Sequence, residues 1–491
     1  MYCINSLYAE NQNGPYYIRS IIFDITGITK PVSLYNAAEI KEGEILADNE
    51  TLESYVKIKT QLLKNSRVFE DVEIHYSFGD PEETGHIPVD LLIKTVDTWN
   101  VIALPYFKYD SSNGLEISAK IRDYNFLGTM QPLKIDLGYT IEREAINTKE
   151  FDRSAFIIDI DSNYPFKAWD QNWNFDFDHF LSYTNKYGFE YNNTTGLRLT
   201  LPTHNTTIML SAYQGIYVNE ENADIYKIKY GERYQGYWYL SNWLRADWSI
   251  PTPFEFNDFE KILYIPSLQV KENYRPFGDI GEERVGPVGT IAQELFFGRV
   301  DWIDNFRKGL IVTLTNTNDY NFYKQTWNKS FQAEYIGHFP LLSFFAFSVR
   351  MLGAVYFDEA DERGGLPIRG IIDSAINTNY GVYTNLDLPI QVLRFVPSEW
   401  FGKPWMRYFN FEQQWSPFID MALIQDTLHK REFSVNNMII TSGIEIVTFP
   451  LFIRSFFLRM SLGFDVREAI RIKALPDGNF REIFIGLGHH Y

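Results

Sequence analysis

An alternation restricts this chain more than any other feature. Asn172–Thr184 reads NWNFDFDHFLSYT, so Trp173, Phe175, Phe177, His179, Leu181 and Tyr183 take every second position. Asn174, Asp176, Asp178, Phe180 and Ser182 stand between them. Successive side chains of a strand point to opposite faces, so one face is aromatic and the other carries the carboxylates. In a soluble sandwich the aromatic face meets a second sheet and the acids meet water. In a membrane barrel the aromatic face meets lipid and the acids line a wet lumen.

The same period recurs from Trp99 to the C-terminus, for example in Phe156–Asp161, Thr207–Val218, Tyr234–Ile250, Gly309–Thr315 and Asn436–Val447. About sixteen to eighteen such segments can be counted. Some connections are short, such as Pro202–Asn205, and others long and polar, such as Phe277–Gly289 and Asp358–Gly365. Short turns on one rim and long loops on the other belong to outer-membrane barrels. A soluble propeller is the competing all-β architecture, and no blade-length repeat is found. Trp238, Trp243 and Trp248 suit interfacial girdles. Phe339–Phe357 is apolar enough to suggest a spanning helix, but its Arg350 and its period of two favour a strand. The ladder of Asn172–Thr184 is therefore expected to face lipid.

Composition agrees. Aromatic residues make up 17% of 491, more than a soluble core needs. A net charge of −18 argues against nucleic acid as a partner. One cysteine, Cys3, excludes a disulfide framework and a cysteine metal site. Asp159, Asp161, Asp176 and Asp178 read as solvated lumen acids, not as an acid/base set. His489 and His490 are adjacent on a strand and point apart, so they are a poor metal pair. Gly278–Gly289 lacks a Walker pattern, and no nucleophile–base pair stands out. No cofactor, metal or enzymatic activity is expected.

The first hundred residues differ. Tyr17–Asp24, Val72–Phe78 and Val89–Val96 are strand-like, while Val32–Ile40 and Thr51–Lys64 are helix-like. Asp48 or Asn49 can cap the second helix, whose Leu52, Tyr55, Val56, Leu62 and Leu63 share a face. The expected organisation is a residual leader or disordered terminus at 1–15, a β-α-α-β-β domain at 16–98 and a barrel at 99–491. Leu7-Tyr8-Ala9 before Glu10 looks like the end of an export signal, and a disordered soluble start reads equally well.

Four stretches carry a family resemblance. Gly27, Lys41-Glu42-Gly43-Glu44 and Phe69-Glu70-Asp71-Val72 resemble the signature of a POTRA (polypeptide-transport-associated) domain, with Phe69, Val72 and Ile74 as core positions beside a client edge. Ile121–Gly128, IRDYNFLG, is similar to an Asn-Leu-x-Gly element after the second barrel strand. Leu366–Gly370, LPIRG, looks like the tip of a loop that folds into the barrel, here around 358–379. The chain ends IGLGHHY, with a terminal aromatic. Together these resemble the BamA/TamA superfamily of outer-membrane assembly proteins, as a short single-POTRA member.

The resemblance implies a transmembrane antiparallel barrel of about 16 strands behind a small α+β domain. It implies a loop lock in which Arg369, followed by Gly370, pairs with Asp387 and Asp420. Ile371 and Ala422 depart from the aromatic and the glycine usual at those places. It also implies a lateral seam between the first and last strands, with Val101 and Phe107 on one side. Ile483, Ile485, Gly486, Leu487, Gly488 and Tyr491 form the other. The implied protein sits in the outer membrane of a diderm bacterium, with its POTRA domain in the periplasm. It receives unfolded outer-membrane proteins, inserts them through the seam, and meets outer-membrane lipids, periplasmic chaperones and accessory lipoproteins. The alternatives are a two-partner-type secretion pore and a lipid-handling or enzymatic barrel. The first usually has two POTRA domains and a plug helix, and the enzyme would need a Ser/His pair at the lipid face.

Overall fold

The computed structural model describes residues 14–82, 85–112, 114–142, 154–184, 188–203, 205–219, 238–257, 260–277, 280, 284–358, 360–361, 364–372, 376–427 and 430–487. They form two compact units. One holds the chain up to Asn100 together with Tyr124–Met130, and the other holds Val101–Asp123 and the chain from Gln131 onward.

The N-terminal unit runs β1 (Tyr16–Thr26), α1 (Pro31–Ala38), β2 (Ile45–Leu46), α2 (Asn49–Asn65), β3 (Phe69–Phe78) and β4 (Ile87–Asp97). Its sheet order is β2-β1-β4-β3, with β1 and β4 parallel. Apart from the two-residue β2, this is the β-α-α-β-β order expected. Asp48 caps α2, accepting from the Thr51 amide at 2.8 Å. That bond lowers the Asp48 pKa, so the cap is present at neutral pH and is lost only as pH falls through the lowered value. The buried face of α2 is Leu52, Tyr55, Lys59 and Leu63. Val56 and Leu62 are only half-buried; Lys59 takes their place because its amine reaches the Glu39 carbonyl at 3.0 Å. Phe69, Val72 and Ile74 are buried on β3.

Residues from far along the chain complete this unit. Asn125 is fully buried and donates to Thr29 Oγ1 at 2.7 Å and Asp97 Oδ2 at 3.2 Å, while accepting from the Met130 amide at 2.8 Å. Asp97 also accepts from the Ile28 and Thr29 amides, just after Gly27. The Gly128 carbonyl accepts from the Lys30 amide and the Ser33 hydroxyl, both at 2.9 Å. Gly128 has φ +73, and a Cβ there would lie 2.0 Å from the Ile28 carbonyl oxygen, so only glycine fits.

The second unit is a closed antiparallel barrel. Its strands are β5 (Val101–Asp110), β6 (Gly114–Asp123), β7 (Leu133–Glu142), β8 (Ser154–Ala168), β9 (Gln171–Thr184) and β10 (Gly188–Pro202). There follow β11 (Thr207–Asn219), β12 (Trp238–Asn257), β13 (Glu260–Tyr274), β14 (Val288–Ile303), β15 (Phe306–Asn321) and β16 (Thr326–Leu342). The last are β17 (Phe345–Tyr356), β18 (Tyr380–Asp387), β19 (Ile390–Phe395), β20 (Phe411–Gln425), β21 (Ile439–Pro450), β22 (Leu458–Asp465) and β23 (Arg481–Leu487). β18 and β19 both pair with β20 and with β17, and form one strand interrupted at Leu388-Pro389.

The barrel therefore has 18 strands, not the expected 16. The count of alternating segments, about sixteen to eighteen, reaches this number; the figure of 16 belonged to the family resemblance. Phe339–Phe357 is likewise not one strand but the end of β16, a turn at Ser343-Phe344, and β17. No helix among the described residues is long and apolar enough to cross a membrane.

Register sorts the wall into two faces. Tyr164, Phe175, Leu197, Ala212, Leu244, Val270, Gly289, Tyr320 and Trp327 form one lateral row across β8–β16. The next row, on the opposite face, is Asn174, Arg198, Ser211, Arg245, Gln269, Thr290, Asp319 and Asn328. The first row suits lipid and the second a lumen. Trp173, Phe175 and Phe177 fall on the apolar face, and Asp176 and Asp178 on the polar one. Trp243 corrects the girdle expectation. It pairs laterally with Tyr213, opposite Gly196 and Asp176, and so lies on the lumen face, whereas Trp238 and Trp248 face outward. There Trp243 stacks on Tyr213 at 5.1 Å with the Lys271 amine 5.4 Å away, a polar use of an indole.

Candidate functional site

The connection after β17 turns into the lumen. Its Ile368, Ile371 and Ile376 pack with Tyr383 of β18, Ala422 and Ile424 of β20 and Ile439 of β21. Burial of these side chains gives the loop a reason to stay inside. The two departures from the family pattern belong here: Ile371 seats the tip by aliphatic packing, and Ala422 lies in the same cluster.

Arg369 stands at this tip with 1% of its surface exposed. Its Nε and Nη2 donate to Asp420 at 3.0 and 2.7 Å, and its Nη1 and Nη2 donate to Asp387 at 2.7 and 3.2 Å. Its own amide also donates to Asp420, at 2.9 Å. The planar fork meets both carboxylates two-handed, which an ammonium cannot do. The Phe418 ring lies 3.8 Å from the guanidinium carbon and Glu445 Oε2 3.6 Å from Nη1. Gly370 follows with φ +89, and a Cβ there would come within 2.5 Å of the Phe464 amide nitrogen on β22. The backbone of the tip thus lies directly against the wall.

The structure brings together Arg369, Gly370, Asp387 and Asp420, which sequence reading named, and adds residues it did not. The Gly370 amide donates to Glu482 of β23 at 2.7 Å. The Ile372 amide donates to the Asn479 carbonyl at 3.2 Å, just before β23. Glu445 accepts from Arg459 of β22 at 2.8 Å, and Arg459 lies 4.5 Å from the Phe484 ring on β23. Phe418 was within reach, because it sits two residues before Asp420 on the same parity. Glu445, Arg459 and Glu482 carry no local signal that separates them from solvated lumen charges.

Phe484 belongs to the closure. Among the described residues β23 registers with β5 at Phe484–Asp110 and Ile485–Tyr109, whereas β22 and β23 register over seven pairs. The Ser111 amide extends the contact to the Ile483 carbonyl at 3.1 Å. This moves the expected seam. Continued in the same register, Phe107 falls opposite Leu487, and Val101 lies beyond Leu487 altogether. β23 is too short to reach it. Below the paired part lies a cavity of about 370 Å³, lined by Ile102, Leu104, Phe107, Phe456, Leu458 and Ile485. A Cβ at Gly486 would meet the Phe484 ring and the Tyr106 hydroxyl at 2.5 and 2.8 Å. Gly488, His489, His490 and Tyr491 lie outside the described residues, as does much of Gly278–Gly289.

Two of the four lumen acids, Asp176 and Asp161, have basic partners. Arg198 donates twice to Asp176 from Nη2, at 2.8 Å each, and Lys134 donates to Asp161 at 2.6 Å. Among the described residues no group of three His, Cys, Asp or Glu is arranged to hold a metal ion.

No family profile matches the chain, and no curated protein matches it in sequence. Solved structures do. CdiB from Acinetobacter baumannii aligns with 97% of this chain and 74% of its own at 12% identity, with a TM-score of 0.50. BamA from Haemophilus ducreyi lacking POTRA domains 1-3 aligns with 96% of this chain and 84% of its own at 14% identity, with a TM-score of 0.37. CdiB from Escherichia coli aligns with 99% of this chain and 92% of its own at 9% identity, with a TM-score of 0.40. At 12% identity the likeness to CdiB from Acinetobacter baumannii is one of fold, a closed antiparallel barrel, and it extends over nearly the whole of this chain.

Proposed function

We propose that this protein inserts β-barrel clients into the outer membrane through the seam between β5 and β23. The observation that carries the reading is the seam itself, which registers over two pairs among the described residues, while its flanking neighbours β22–β23 and β5–β6 register over seven and ten. Unpaired strand edges in a membrane are costly and template an incoming strand. The loop tip bears on this edge, because Gly370 holds Glu482 and the Arg369 cluster reaches Phe484 through Glu445 and Arg459. The N-terminal unit acts as a single periplasmic POTRA domain. Its β3, bearing Phe69, Val72 and Ile74, is the long outer strand of the sheet and offers its backbone edge to unfolded clients. Chaperones and accessory lipoproteins would deliver those clients.

The second reading is a secretion pore that passes its client through the lumen. The 18-strand closure favours it, since barrel diameter grows with strand number. One experiment separates the two. With Cys3 replaced by serine, cysteines at Tyr109 and Ile485 are joined across the seam. The locked barrel should stay folded yet fail to assemble other outer-membrane proteins. Assembly at the unlocked rate would end the insertion reading, and a locked protein that still exported a soluble client would establish the pore.

A further inference from the structure

The rim where the chain enters and leaves the barrel has mostly tight connections: Trp169-Asp170, Asp304-Asn305 and Ser343-Phe344 each join two strands. Between β19 and β20 the chain instead runs from Val396 to Asn410 as a short helix, α3 (Pro397–Phe401), and a 3-10 helix at Pro404–Phe409. Its large side chains are not tucked away. Trp400 is 57% exposed, Phe401 64%, Trp405 55% and Phe409 59%, with Tyr408 close behind. So dense an exposed aromatic surface marks something it binds.

We infer that this connection is a membrane-interface paddle that binds the phospholipid leaflet at the entry rim. Three observations select lipid over a protein client. First, the surface continues the lipid-facing wall: Phe395 packs on Trp400 at 5.0 Å and on Phe411 at 5.3 Å, and the neighbouring turn exposes Leu341, Leu342 and Phe344. Second, its composition is interfacial, with tryptophan and tyrosine beside the exposed cations Lys403 and Arg407 against one acid, Glu399. Those cations suit anionic headgroup phosphates. Third, its backbone offers no free strand edge, because the Met406 and Asn410 amides bond within the paddle, to the Lys403 and Arg407 carbonyls.

The paddle is also joined to the seam's surroundings. Tyr408 packs on Phe452 at 5.5 Å, and the Leu451 amide donates to the Asn410 carbonyl at 2.9 Å. The same connection, 451–457, places Phe456 in the cavity beside β5. Lipid held by the paddle therefore lies next to the strands that close the barrel. Leaflet binding does not depend on whether that seam opens.

The test uses the full chain with Cys3→Ser, reconstituted in vesicles of phosphatidylethanolamine and phosphatidylglycerol. An environment-sensitive fluorophore is attached at Trp405→Cys or Phe409→Cys, with Asp477→Cys on the opposite rim as the control, and a heat-shift gel verifies folding. Lipids carrying a nitroxide near the headgroup end of the acyl chain should quench both paddle positions severalfold more than the control. Lys403→Glu with Arg407→Glu should shift the paddle label toward a water-like emission and cut the quenching when phosphatidylglycerol is present. Water-like emission with no quenching from any depth would overturn the inference. So would emission that changes only when unfolded client is added, which would give the surface to the client instead.

Discussion

Arg369 shows how much one side chain can organise. Asp387, Asp420 and Glu445 surround it, so removing it leaves three acids facing one another, with Arg459 paired to Glu445 and Arg307 lining the same cavity. Breaking a buried ion pair from one side costs about 3–5 kcal/mol. Arg369→Ala is expected at the lower end, because lumen water can enter. The loop should become protease-sensitive while β1–β4 keep their exchange protection. Arg369→Lys should recover little of the loss, since a point charge cannot span both carboxylates; full recovery would show that charge alone is required. Glu482→Gln keeps the size and an acceptor but removes the charge beside the Gly370 amide. It should leave the loop seated and raise exchange at β23, and an unchanged β23 would mean that the tip does not restrain the last strand. Sequence reading reached Arg369, Asp387 and Asp420 because they sit in short motifs with neighbours. It missed Glu445, Arg459 and Glu482 because each becomes distinctive only once the strands are ordered around the lumen.

At the scale of a strand, parity was readable and phase was less so. β9 declares its faces, with aromatics on one and acids on the other, and the lateral rows extend that assignment through eight neighbours. β12 does not, because tryptophans stand on both of its faces, and only its pairing with β11 turns Trp243 inward. Strand number was legible as a range that includes 18, while the figure of 16 came from the resemblance and not from the alternation. The test of phase is a pair of arginine substitutions on β9. Phe175→Arg should destabilise the barrel by about 2–4 kcal/mol if the site lies near mid-bilayer. The natural partner position, Asp176, is a poor control, because Arg198 already occupies its carboxylate. Asp178→Arg is the better one and should cost far less, and equal losses in urea unfolding from vesicles would reject the assigned faces.

For the whole molecule, the seam experiment asks whether the barrel opens sideways, and it follows from closure over two pairs rather than from any single motif. The N-terminal unit raises a different question, one of order in time. Its last strand ends at Asp97, yet its polar core is closed by Asn125 and its β1–α1 turn by Gly128. Asn125→Ala in the full chain should raise hydrogen exchange at Gly27–Ser33 and destabilise that region by about 1–3 kcal/mol, the usual penalty for an unsatisfied buried partner. An unaltered exchange pattern would mean that Asp97 alone organises the turn. Because a chain is synthesised from its N-terminus, the first ninety-odd residues exist before the two hairpin strands that precede Asn125. The small unit must wait, incomplete, until β5 and β6 have followed it, so its last polar contacts are made by a segment that emerges only after the first barrel hairpin.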